Sequence, residues 1–176
     1  MRNNYLLINE TDIKAFSVVA DNLDSKYIQP AIIAVQDTAL EPMIGSKLIT
    51  KLGTLVEAEA IDEQGNEIYK ELLEEYVQPY LLNKTVSEIM VQSFAKVRNA
   101  GVVQFNDTNQ TTTAIQDVNF LRNHYDGIAS TYALRLTDYL WKNRKNIPEY
   151  TCECPTQPGE VNPGGKQSND YCNIHI

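Results

Sequence analysis

Apolar residues recur along this chain at intervals of three and four, the pattern of helices that each bury one face. Ile28, Ile32, Val35, Ala39 and Met43 form the first such stripe. Pro30 suits the first turn of that helix. Pro42 is expected to end it near Glu41 and to open a second piece through Leu48, Ile49 and Leu52 that stops at Gly53. Upstream, the apolar run Tyr5-Leu6-Leu7-Ile8 leads into Asn9-Glu10-Thr11-Asp12, a cap followed by acids, which predicts a short helix through Phe16 and Val18. Downstream, a turn over 61–66 precedes the face Ile68, Leu72, Tyr76 and Tyr80, which Pro79 should interrupt. Thr85-Val86-Ser87-Glu88 has capping-box spacing and predicts a further helix through Ile89, Met90, Phe94 and Val97, closed by Gly101. The longest stripe is Ile115, Val118, Leu121, Tyr125, Ile128, Tyr132, Leu136 and Tyr139. Gly127 is a point where that helix can bend, and Lys142, Arg144 and Lys145 sit where the helix dipole favours cations, ahead of Pro148.

Two stretches break the helical pattern. Val102 to Phe105 is β-branched and Asn106 to Thr113 almost wholly polar, so an extended arm or small hairpin is expected near 102–113. Beyond Pro148, proline and glycine replace the apolar residues, and such a tail buries too little surface to fold alone. The expected fold is mainly α: a bundle of about five to six helices over 1–147, with an irregular C-terminal arm over 148–176.

Composition narrows the function. At 176 residues there is room for one domain with its own core. Twenty-three acidic against fifteen basic residues leave a net charge of -8, which argues against phosphate-backbone binding as the main activity. No stretch approaches the roughly 20 apolar residues of a membrane span, and the start has no signal-peptide run, so no membrane partner and a cytoplasmic site of synthesis are expected. The Asn-x-Thr triplets at Asn9, Asn83, Asn106 and Asn109 are then loop or cap chemistry.

The most site-like constellation lies in the tail. Cys152, Cys154, Cys172 and His175 make a complete tetrahedral zinc shell of the closed, structural kind. Against it stand the tight one-residue spacing of the first pair and the glycine-rich loop between the pairs, and the plainer alternative is three reduced cysteines on an exposed arm. His124, Asp126 and Ser130 do not form a catalytic triad, because Asp126 is two residues from His124 and faces elsewhere on a helix. Gly45-Ser46-Lys47 lacks the first glycine and the trailing hydroxyl of a phosphate loop. Glu71, Glu74 and Glu75 read as a solvated face, and Tyr76, Tyr125, Tyr132 and Tyr139 as core or subunit-interface residues. No catalytic constellation emerges, and the chain is not expected to be an enzyme.

The order of a short N-terminal helix, the segment Ile28-Gln29-Pro30-Ala31-Ile32-Ile33-Ala34-Val35-Gln36-Asp37-Thr38-Ala39-Leu40-Glu41-Pro42-Met43-Ile44-Gly45, a middle helical pair, a polar loop and a long last helix resembles the head-to-tail connector (adaptor) proteins of tailed bacteriophages, above all those of crAss-like phages. The resemblance covers roughly residues 5 to 147 and rests on helix patterns and short apolar phrases. It implies a structural virion protein that assembles in the host cytoplasm as a ring of about twelve copies, bound to the portal protein. DNA would pass through the ring without specific binding, and a downstream tail or neck protein would dock beyond it. A terminal extension grips the portal in similar adaptors, which makes Tyr150, Tyr171 and Ile174 the candidate anchors here. The alternative is a small zinc-stabilised protein-binding module built on the cysteine tail.

Overall fold

The computed structural model of the chain describes residues 5–17, 23–98, 101–104 and 115–150. It is mainly helical, with α1 (Glu10–Phe16), α2 (Ser25–Val35), α3 (Glu41–Ile44), α4 (Ser46–Glu57), α5 (Glu67–Leu72), α6 (Gln78–Phe94) and α7 (Ile115–Asn143). A two-stranded antiparallel hairpin, β1 (Ala95–Arg98) and β2 (Gly101–Gln104), follows α6. The expected cap of α1 forms in full. The Asn9 side chain accepts from the Asp12 N–H at 2.9 Å, and the Asp12 carboxylate accepts from the Asn9 N–H at 2.9 Å.

The prolines behave differently from expectation. Asp24 caps α2, accepting from the Lys26 N–H at 3.0 Å, so Pro30 sits inside the helix and not in its first turn. Pro42 and Pro79 also fail to break their helices. Each follows a widened π turn, Gln36–Leu40 before the first and Leu73–Val77 before the second. The residue ahead of each proline donates five positions back instead of four: Glu41 N–H to the Gln36 carbonyl and Gln78 N–H to the Leu73 carbonyl. A proline ring strikes the carbonyl four residues before it, and widening the turn relieves that clash while the rod continues. The chain from 25 to 44 is therefore one rod, as is the chain from 67 to 94. The break expected at Pro42 falls at Gly45, whose φ of 88° suits glycine. With α1, α4 and α7, the described residues form five rods.

Three further expectations need correction. Thr85 is buried in mid-helix, so the predicted capping box does not form. The helix ends at Phe94, and Val97 lies on β1, where apolar spacing alone could not separate helix from strand. The hairpin runs from Ala95, paired with Gln104, to Arg98, paired with Gly101, earlier than the predicted 102–113. Residues 105–114 and the tail from 151 lie outside the described residues.

The core is set by two contacts that join distant segments. The rod 67–94 packs antiparallel on α7. Lys84 meets Asp126 at 2.8 Å, and the Tyr139 hydroxyl donates to Glu71 at 3.0 Å, so one register holds along the pair. Leu72, Leu81, Leu136 and Leu140 are fully enclosed there. The second contact is the extended segment Tyr5–Ile8. Gln36, itself buried, accepts from the Leu7 N–H at 2.8 Å and donates to the Tyr5 carbonyl at 3.1 Å. Gln78 donates to the Leu7 carbonyl at 3.2 Å. Tyr5 then lies flat on α4 at Gly53, where a Cβ would fall inside its ring. Gly53 is thus a mid-helix glycine kept for close approach, not the terminator that its spacing suggested, and α4 runs on to Glu57.

Gly53→Ala should destabilise the fold by about 1–3 kcal/mol in urea unfolding, as overpacking does. In a Tyr5→Ala background the same change should be neutral or stabilising, since alanine is the better helix former by about 1 kcal/mol. A second expectation concerns alkaline pH. Burial, and then the Asp126 carboxylate, push the Tyr80 hydroxyl up to about 12. Tyrosine ionises near 10 when unfolded, so the unfolded chain releases this proton first. The stability tied to Tyr80 is complete below pH 10 and is lost as pH rises toward 12. The slope between should fall in Tyr80→Phe, by an amount integrating to about 2–3 kcal/mol in chemical denaturation across that window.

Candidate functional site

Among the described residues, those singled out in the sequence do not converge on a reacting centre. Asp126 is held by Lys84 and, at 3.6 Å, by Arg122. Ser130 donates to the Asp126 carbonyl at 2.8 Å, while His124 is exposed and edge-on to the Tyr125 ring. All three lie on α7, with Asp126 turned toward α6 and His124 toward solvent. Ser46 donates to Glu41 at 2.7 Å, and with Lys47 it lies exposed at the start of α4. Among the described residues no group of three histidine, cysteine or acidic side chains is placed to hold a metal ion. The candidate ligands Cys152, Cys154, Cys172 and His175 lie outside the described residues, as do the proposed anchors Tyr171 and Ile174.

Tyr150, the remaining anchor, is half-buried against the core, and its N–H donates to the Ile147 carbonyl at 3.1 Å. Beside it Glu149 accepts from the Tyr69 hydroxyl at 2.6 Å. The root of the arm is therefore stitched to the helical body for three residues past 147. Burial, followed by that bond to Glu149, pushes the Tyr69 hydroxyl up to about 12. Tyr139 is raised further, by burial first and then by its bond to Glu71. Both phenols are held as neutral donors and work as struts, not as acids.

Three of the four tyrosines expected on core stripes, Tyr76, Tyr132 and Tyr139, gather around the same end, while Tyr125 lies further along α7 beside His124. Tyr139 is buried and its ring lies 4.4 Å from that of Tyr76, centre to centre, at a tilt of 31°. Arg135 sits over Tyr76 at 5.7 Å and over Tyr132 at 5.2 Å, with its side chain exposed. A cation held by two rings is preorganised at little entropic cost, a common feature of protein–protein contact sites.

The net charge is distributed unevenly along the chain. Between Glu57 and Glu75 the chain carries eight carboxylates against the single cation Lys70, and all eight are exposed. Nearly the whole net charge of the chain is concentrated there, where α4 gives way to the rod 67–94, and the remainder is close to neutral. Glu71, Glu74 and Glu75 are part of that band, in keeping with the solvated face expected of them. Lys70 is shared between Asp62 at 2.6 Å and Glu74 at 3.9 Å.

Two features were missed in the sequence. Gln36 and Gln78 look like ordinary helix residues, and their clamp on Tyr5–Ile8 depends on partners 29 to 71 positions away. The other is an apolar strip on the outer side of α7, where Phe120 is 73% and Leu134 55% exposed. Phe120 and Leu134 interrupt the polar outer positions of α7 fourteen residues apart, close to four helical turns, a signal the inward stripe obscured.

No curated protein and no solved structure matches the chain. A family model matches residues 40–160, from the first widened turn through α7. By that match the chain belongs to the family described as a family of unknown function (DUF6712).

Proposed function

We propose that this chain is a structural subunit of a virion: a head-to-tail connector that forms a ring on the portal and joins the filled capsid to the tail. What supports the reading is the placement of charge. A band of eight exposed carboxylates with one cation repels a polyanion at short range. Such a surface flanking a channel lets DNA slide without holding it. The helical architecture supplies what a ring needs besides: rigid rods with different faces on opposite sides of one subunit, so that copies can meet head to tail around an axis. The stacked Arg135, Tyr76 and Tyr132 offer one preorganised contact of the kind that subunit or portal docking uses. The tail from 151 is the proposed portal grip, carried by a root that Glu149 and Tyr150 fix to the body.

Mixing the full chain with the portal protein of the same virus, followed by electron microscopy, tests the proposal. A closed ring of about twelve copies seated on the portal is expected. Deleting residues 151–176 should leave the helical signal in circular dichroism and the urea midpoint unchanged while weakening attachment. Absence of the chain from purified virus particles by mass spectrometry would refute the connector role outright.

A further inference from the structure

Gly127 poses a question that Gly53 does not. Glycine in mid-helix costs about 1 kcal/mol relative to alanine, and at Gly53 the ring of Tyr5 accounts for it. At Gly127, near the middle of the 29-residue α7, no atom lies within 4 Å of where a Cβ would stand. Nothing among the described residues requires a missing side chain there. The helix turns about 100° per residue, so buried Ala129, Leu136 and Leu140 lie on the side opposite Gly127, which faces directly outward.

Seven residues to either side of this glycine, on the same outward line, are Phe120 and Leu134, two of the most exposed large apolar side chains. One turn after the glycine stand Ser130 and Thr131, whose hydroxyls are already used, by the Asp126 carbonyl at 2.8 Å and the Gly127 carbonyl at 3.1 Å, and one turn before it stand the exposed Asn123 and His124. Covering the two hydroxyls strands no donor. The strip is thus a shallow saddle with an apolar side chain at each end.

We propose that this saddle binds the same saddle of a second copy of this chain, the two α7 helices crossing antiparallel at Gly127 about a two-fold axis. The pattern is palindromic: a two-fold axis at Gly127 lays Phe120 of each copy on Leu134 of the other. The charges agree with that pairing. Asp117 lies about 15 Å to one side of Gly127 along the helix and Arg135 about 12 Å to the other, both rotated about 80° to the same flank. The two-fold axis therefore brings Asp117 of one copy to within about 3 Å, in height along the axis, of Arg135 of the other, and does so twice. Among the described residues neither Asp117 nor Arg135 forms an ion pair within its own chain.

Polarity is settled by the acidic band. Glu71 bonds Tyr139, so the band lies toward the C-terminal end of α7. A parallel pair would set two such bands side by side. The antiparallel pair places them about 36 Å apart, several times the roughly 8 Å Debye length of physiological salt. The inference does not rest on the connector reading, since the pair is isologous and a ring contact is not.

Sedimentation equilibrium on the full chain tests it. The wild type should pass from monomer to dimer between low and high micromolar concentration. Gly127→Leu fills the saddle without touching the core, so its melting temperature should be equal or higher while dimerisation weakens about tenfold or more. Asp117→Arg and Arg135→Asp should each weaken the dimer, and the double variant should restore it, which loss of the tyrosine stack at Arg135 could not do. A wild type that stays monomeric throughout, an assembly that Gly127→Leu leaves unchanged, or a double variant weaker than both singles would each overturn the proposal.

Discussion

Two prolines inside helices impose the constraint on which this fold turns. A proline ring collides with the carbonyl one turn behind it, and the ordinary outcome is a kink or an end. Here both Pro42 and Pro79 are preceded by a π turn, so each rod carries on in its own direction with an extra residue inserted. The widened turns bring a second consequence. Gln36 opens the first and Gln78 follows the second, and these two glutamines hold the segment Tyr5–Ile8 between the rods. Removing the Gln36 amide would strand both the Leu7 N–H and the Tyr5 carbonyl, at about 1–3 kcal/mol for each buried group. The clamp thus ties the start of the chain to both long rods and presses Tyr5 onto α4.

The helices themselves were legible because their stripes are long. Five or more apolar positions at three- and four-residue steps leave little ambiguity, and the last helix runs to Lys142 and Asn143 much as Ile115 to Tyr139 and the trailing cations predict. What failed was punctuation. Pro42, Pro79, Gly53 and the Thr85 box are all genuine local signals for stopping or starting a helix, and each was overruled by packing between segments far apart. Gly53 is the clearest case, since its meaning lies in a ring 48 positions earlier. Val97 failed for the opposite reason: it continued the apolar spacing of α6 although the chain had already turned into β1.

The candidate site was less legible than the fold. Titratable clusters were sought in the sequence, yet the chemistry of the described residues is that of contact: a cation over two rings, neutral phenols as struts, and a dense band of acid. Neighbouring carboxylates such as Glu71, Glu74 and Glu75 were visible one by one, but their joining with Glu57, Glu59 and Asp62 follows from the turn that folds α4 back toward the rod 67–94.

Glycines 53 and 127 together separate internal from external demands on one chain. Both occupy helix interiors and both forgo the stability that alanine would bring. At the first, the gain is visible within the molecule, because an aromatic ring takes the vacated space. At the second, the space is open and is framed by Phe120 and Leu134 in a symmetric arrangement that no contact among the described residues explains. The acidic band limits where another copy can approach, since two such surfaces repel at short range. α7 meets both conditions, as its outward saddle is nearly uncharged and its antiparallel crossing carries the acidic ends apart. Self-association through any face near Glu57 to Glu75 would have to overcome repulsion that the saddle avoids.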